Sequence, residues 1–245
     1  MTAVRAAGLS AGYDGRAALT GITFEAGAGE VVGVLGPNGG GKTTLFRVLL
    51  GELPHEGALA VDGSLASVPQ GDRARLDFPV SALDVALMGA YARTPWFRRL
   101  SRADREAALA ALDRVGLADR ARDRFGTLSG GQRRRVLIAR ALVQDAQIVL
   151  LDEPFAGVDA ASEERILALF DDLAAEGRTL LVATHDVQQA RRWPRVLCLH
   201  GSQIAFGSPT DVLTPVVLER TYGHDLVVLE HGDLAVQVQH HDHDT

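Results

Sequence analysis

The run GPNGGGKTT, Gly36 to Thr44, carries the most readable chemistry in the chain. It satisfies the pattern G-x-x-x-x-G-K-[ST]: the Gly36, Gly39, Gly40 and Gly41 backbone, with Pro37 and Asn38 between, can turn successive N–H groups inward around phosphates. Lys42 adds a point charge, and the Thr43 hydroxyl, next to Thr44, can ligate Mg²⁺. The implied ligand is a purine nucleoside triphosphate. In IVLLDEP, four apolar residues deliver Asp152 and Glu153 to a strand end; Asp152 can hold Mg²⁺ through water, and Glu153 can orient or deprotonate an attacking water. TLLVATHD repeats that geometry and ends on His185, a candidate contact for a γ-phosphate. A second glycine-rich turn, LSGGQRRR, sets Ser129, Gly130, Gly131 and Gln132 at a predicted helix start, where backbone N–H groups also suit phosphate. One chain therefore carries two phosphate cradles far apart in sequence.

Certain elements must hold these residues in place. Short apolar stretches broken by Asp14-Gly15 and AGAGE predict hairpins leading to the strand VVGVL, which runs into the first glycine loop. After that loop Leu45, Val48 and Leu49 recur at helical spacing, with Gly51 as the stop. From Asp72 to Thr127 the pattern is helical: SALDVALMGAY and SRADREAALAALDRVG each open on Ser-x-x-Asp, and Leu109, Leu112 and Val115 share helical spacing. Beyond Ser129 helices alternate with β-rich runs, and Ile166, Leu169, Phe170 and Leu173 form one helix face. Such alternation predicts an α/β fold with a mostly parallel sheet wrapped by helices. Past Gly207 lies a short appendix ending in QVQHHDHDT.

The 245 residues suffice for one sizeable core, and a net charge of -6 carries no overall footprint for nucleic acid. A single cysteine, Cys198, cannot pair within the chain and reads as a small buried hydrophobe in a reducing compartment. The start has no secretory core, and no apolar run is long enough to span a bilayer, so any membrane role is expected through a partner. On residues alone, Tyr13 before Asp14-Gly15 is equally a hairpin aromatic, and Gln70 after Pro69 an ordinary polar loop residue.

The ordered set Gly36–Thr43, Gln70, LSGGQ at Leu128–Gln132, LLDEP at Leu150–Pro154, GVD at Gly157–Asp159 and THD at Thr184–Asp186 resembles the ATP-binding subunits of ABC transporters over about Val4 to Pro209. Gly40 stands where Ala is common and Thr43 where Ser is common; neither change removes a phosphate ligand. The resemblance implies a phosphate-loop NTPase core with an N-terminal antiparallel β lobe and an inserted helical lobe. It divides a single domain into residues 1–71 (β lobe and start of the core), 72–127 (helical lobe), 128–208 (rest of the core) and 209–245 (appendix). It also implies that Tyr13 stacks on adenine, that Gln70 touches Mg²⁺ and the attacking water, and that Asp159 links two sites across a dimer. Ser129 to Gln132 would grip the nucleotide held by the other subunit, which answers the question of two cradles. ATP and Mg²⁺ are the expected cofactors. The expected partners are a second ATP-binding subunit and an integral membrane permease at the cytoplasmic face of the membrane, with no nucleic acid.

DFPVSALDVALMGAY, WFRRLSRADREAALAALDRVGL and DEPFAGVDAASEE resemble, more narrowly, the subfamily that imports zinc, manganese or iron with a permease and an extracytoplasmic metal-binding protein. The alternatives are transport of another substrate in either direction, a soluble ABC ATPase of DNA repair or translation, and a small-molecule phosphate-loop kinase. The repair and translation types are disfavoured because sustained heptads and a second phosphate loop are missing, and the kinase because it leaves LSGGQ unexplained. Arg93, Arg98, Arg99, Arg102 and Arg105 read as a solvated helix face. His240, His241 and His243 with Asp242 and Asp244 have ligand chemistry, in a terminal tail where a supporting shell is hard to build.

Overall fold

The computed structural model describes residues 1–70, 79–95, 97 and 99–223, and the backbone of 226–228 and 234–236. Arg98 and the His/Asp run at 240–244 lie outside the described residues. In chain order the elements are β1 (Thr2–Tyr13), β2 (Arg16–Gly27), β3 (Val31–Leu35), α1 (Lys42–Leu49), β4 (His55–Val61), β5 (Leu65–Val68), α2 (Ala82–Leu87), α3 (Arg102–Arg114), α4 (Gly130–Gln144), β6 (Ile148–Asp152), α5 (Ala160–Ala175), β7 (Thr179–Thr184), α6 (Val187–Ala190), β8 (Arg195–Leu199), β9 (Gln203–Gly207), α7 (Pro209–Val212), α8 (Pro215–Tyr222), β10 (Leu226–Val228) and β11 (Leu234–Val236). They divide between two compact units, one of Met1, Gly27–Glu30 and Asp62–Leu181, the other of Thr2–Ala26, Val31–Val61 and Val182–Thr245.

In the first unit the strands run β5-β6-β7, with β5 and β6 parallel and paired from Leu65 opposite Ile148 to Val68 opposite Leu151. β6 is buried along its whole length, as a strand covered on both faces must be, so its apolar run is continuous rather than alternating. Ser81 and Ser101 each close a reciprocal capping box, with Asp84 and Asp104, at the starts of α2 and α3. α3 buries Ala108, Ala111 and Leu112, with Val115 just beyond it, while Leu109 is 39% exposed. The face is therefore rotated from the one the leucine spacing predicts: the small Ala108 and Ala111 permit close approach, and Leu109 is left outside. On α5, Ile166, Leu169, Phe170 and Leu173 are buried as predicted, and Gly177 takes φ 89 just past its end. Arg93 pairs with Asp104 at 3.1 Å and Arg102 with Glu106 at 2.8 Å, partly exposed pairs of the kind a solvated face makes.

In the second unit β2-β1-β4 form an antiparallel sheet, and Asp14 and Gly15, both at positive φ, close the β1–β2 hairpin. The end of β7 begins the order β7-β3-β8-β9, with β3 parallel to β8 and β9 antiparallel to it. The helices α7 and α8 lie beyond Gly207, where the sequence pattern predicts only an appendix, and β9 ends at Gly207 within the stretch assigned to the rest of the core. Leu45, Val48 and Leu49 bury one side of α1, and Cys198 is fully buried in β8. Burial pushes its thiol up to about 12, which keeps it protonated and inert. No helix of the described residues is long and apolar enough to cross a membrane.

Candidate functional site

In the second unit, fully buried β3 runs directly into the glycine loop, and α1 starts at Lys42. The helix N-cap is Gly41, at φ 99, which has no side chain of its own to cap the first turn. Packing dictates the glycines at both ends of this loop. A Cβ on Gly36 would lie 2.3 Å from the Leu199 carbonyl oxygen, and one on Gly41 would lie 2.4 Å from Leu19 Cδ2. A Cβ on Gly40 would meet the Pro37 and Leu199 oxygens at 3.0 and 3.2 Å, so alanine there requires small shifts of its neighbours. Lys42, 5% exposed, curls back over the loop, donating from Nζ to the Gly36 carbonyl at 2.7 Å and the Pro37 carbonyl at 3.1 Å. Asn38, Gly39 and Thr43 are exposed, and Thr44 is buried.

Tyr13 ends β1 and is 38% exposed. Arg47 of α1 donates from Nη1 to its hydroxyl at 3.2 Å and places its guanidinium carbon 5.3 Å from the ring centroid, so a cation braces the aromatic. His185, half-buried, follows β7 in a turn stapled by its neighbours. Thr184 Oγ1 accepts from Asp186 N and donates to Gln189 Oε1, while Asp186 caps α6. The His185 carbonyl accepts a hydrogen bond from Tyr222.

In the first unit, β6 delivers Asp152 and Glu153, both buried. Glu153 has φ 50, a left-handed conformation that costs a non-glycine residue about 1–3 kcal/mol and recurs where chemistry needs a side chain re-aimed. Gln70 Nε2 donates to Glu153 Oε2 at 2.8 Å, bringing together two residues 83 positions apart. This turns the Gln70 amide oxygen away from the carboxylate. The oxygens of Thr43, Gln70 and Asp152 are the hydroxyl, amide and carboxylate donors that suit Mg²⁺, and among the described residues no three His, Cys, Asp or Glu side chains gather to hold a metal by themselves.

Ser129 caps α4 reciprocally with Gln132. Ser129 Oγ accepts from Gln132 N at 3.2 Å and Gln132 Oε1 accepts from Ser129 N at 2.9 Å. Gly131 is packed: a Cβ there would lie 2.8 Å from the Gly157 oxygen, whereas one on exposed Gly130 would meet nothing within 4 Å. Asp159 caps α5, accepting from Ser162 N and Oγ; these bonds hold its carboxyl below the usual range.

The motif-based expectations did not reach the three arginines that follow Gln132. Arg133 donates to the Leu128 carbonyl and Arg135 to that of Val115, while buried Arg134 donates to the carbonyls of both Pro69 and Gln70. Arg134 thus fixes the backbone of the residue whose side chain holds Glu153. A signal existed: Arg134 falls four residues before Ile138 and three after Gly131, on the buried face of α4. Arg47 beside Tyr13 and Tyr222 beneath His185 offered no comparable signal, because each pairing crosses a long sequence separation.

Residues 19–156 match the ABC transporter family. The manganese transport system ATP-binding protein MntB of Bacillus subtilis (strain 168) is 42% identical over 233 residues, covering 91% of this chain and 93% of its own. The zinc transport system ATP-binding protein TroB of Treponema pallidum (strain Nichols) is 38% identical over 231 residues, covering 90% of this chain and 87% of its own. The dimeric structure of MJ0796, a bacterial ABC transporter cassette, aligns with a TM-score of 0.74 at 26% identity, covering 84% of this chain and 98% of that one. With the family match spanning both the phosphate loop and the Asp152–Glu153 strand end, and relatives aligned along nearly the whole length, the chain belongs to the ABC transporter family.

Proposed function

We propose that the chain is the ATP-hydrolysing subunit of a transporter that takes up a transition-metal ion, manganese or zinc in the first instance, working as one ATP-binding domain on the cytoplasmic face of a membrane permease. The observation that carries the catalytic part is Glu153, buried and held at positive φ, with its carboxylate on the Gln70 amide. The metal part rests on relatives whose names specify manganese and zinc transport.

In this reading the N–H groups of Gly36 to Thr44 and the Lys42 ammonium hold the β- and γ-phosphates, for which Lys42 gives up its loop carbonyls. Tyr13, braced by Arg47, stacks on adenine. Thr43, the Gln70 oxygen and Asp152 would hold a nucleotide-borne Mg²⁺, which would supply Lewis-acid stabilisation of phosphate charge. Glu153 takes a proton from the water that attacks the γ-phosphorus as the bond to the β–γ bridging oxygen breaks. His185 contacts the γ-phosphate. Ser129 to Gln132 complete the site of a second copy, with Asp159 between the two sites. The open space at Gly130 supports this role, since the chain's own packing does not require a glycine there.

The test is to reconstitute the chain with its permease and measure ATP hydrolysis with extracytoplasmic binding proteins loaded with manganese, zinc or iron. Stimulation by one loaded protein is expected. Basal hydrolysis without stimulation by any of them would remove the metal reading and leave the ATPase intact.

A further inference from the structure

The segment after β9 holds the second unit's turns from behind. α8 opens on Thr214 and Pro215 and ends on two buried residues, Thr221 and Tyr222, the latter 3% exposed. The Tyr222 hydroxyl donates to the His185 carbonyl at 3.0 Å, across 37 positions of sequence. The Thr221 carbonyl accepts from His200 Nδ1 at 2.8 Å, which ties α8 to the residue just past β8. The neighbours of His200 brace the phosphate loop: Gly201 N donates to the Gly40 carbonyl at 3.0 Å, and the Leu199 oxygen closes the space beside Gly36. Two consecutive residues of one helix therefore hold the turn that carries His185 and the turn against which the phosphate loop packs. Burial alone does not call for the phenol at this position, since phenylalanine fills the same space; the hydroxyl is there to make a directed bond.

We propose that Tyr222 is a positioning residue for His185: its hydroxyl fixes the His185 peptide so that the imidazole meets the γ-phosphate, and α8 references that position to the phosphate loop through Thr221 and His200. This rests on the γ-phosphate role proposed above for His185. α8 is then part of the catalytic apparatus.

The experiment uses the full chain, with Tyr222→Phe, His185→Ala and the double variant, read as steady-state ATP turnover with long-incubation phosphate release for the slow variants. Tyr222→Phe should lower kcat about two- to tenfold, the range for one lost neutral hydrogen bond, with ATP affinity unchanged and the thermal midpoint lowered by no more than a few degrees. In the His185→Ala background the same change should have no further effect, because the bond acts only through His185. Parental kcat in Tyr222→Phe, an equal loss in both backgrounds, or a loss that follows weakened ATP binding would each overturn the inference. If His185→Ala turns over at the parental rate, the role of His185 falls and this inference with it. A deep loss in His185→Ala beside an unaffected Tyr222→Phe removes the inference alone.

Discussion

The two glycine-rich helix starts, at Gly36–Lys42 and at Ser129–Gln132, look alike in sequence and are built differently. The first has a glycine at its N-cap, and glycines at its two ends are forced by neighbouring atoms of the same chain; its ammonium folds back onto the loop. The second caps itself with its own serine and glutamine, packs Gly131 and leaves Gly130 facing open space. A cradle that wraps a ligand by itself needs uncapped N–H groups and strained glycines. A surface that completes someone else's site needs a stable helix end and room in front of it. On the function proposed above, the difference separates a site that binds from a site that is presented to a second copy.

Five substitutions break or sharpen that contrast. Glu153→Gln should slow turnover about 10²- to 10⁴-fold, the usual contribution of a general base, while ATP affinity stays parental and closed dimers accumulate on gel filtration with ATP. Parental hydrolysis would show that Glu153 is not the base. Lys42→Ala acts on the binding cradle: ATP affinity should fall about 10- to 100-fold by equilibrium titration, consistent with one or more charge-assisted bonds. Gly130→Ala should leave ATP affinity and thermal midpoint unchanged yet impair ATP-driven dimerisation and hydrolysis. Gly131→Ala instead presses on the Gly157 oxygen, costing about 1–3 kcal/mol and lowering the midpoint by a few degrees. Equal effects of the two alanines on the midpoint would erase the distinction between the glycines. Ser129→Ala should cost about 1 kcal/mol for a lost cap, with ATP affinity intact and dimerisation weakened.

Much of the fold was legible because its signals are local. β3, β6 and β7 are unbroken apolar runs of strand length, and α2 and α3 open on Ser-x-x-Asp boxes that form as predicted. The face of α3 differs at Leu109 because leucine spacing describes a periodicity while packing against α2 and α4 decides its phase, and Ala108 and Ala111 are buried in place of Leu109. β9 and α8 went unread because their stretches are short, and their reasons for forming lie in partners distant in sequence: β8 for the strand, His185 and His200 for the helix end. Within the site, motif spacing located Gln70 and Glu153 separately. Their hydrogen bond, and the Arg134 clamp on the Gln70 backbone, belong to long-range packing.

The sequence by itself determined the inventory of chemistry: a glycine loop with Lys42 and Thr43, the acidic pair Asp152–Glu153, His185, and a serine-capped signature turn. It also determined the alternation of helix and strand that places each at an element's end, since periodicity and capping act within a few residues. Tertiary structure decided which of these groups touch, which glycine is packed and which is open, and which ordinary residues hold the others in place. Arg47, Arg134 and Tyr222 carry no motif because a hydrogen bond across 34, 64 or 37 positions leaves no local pattern in the chain.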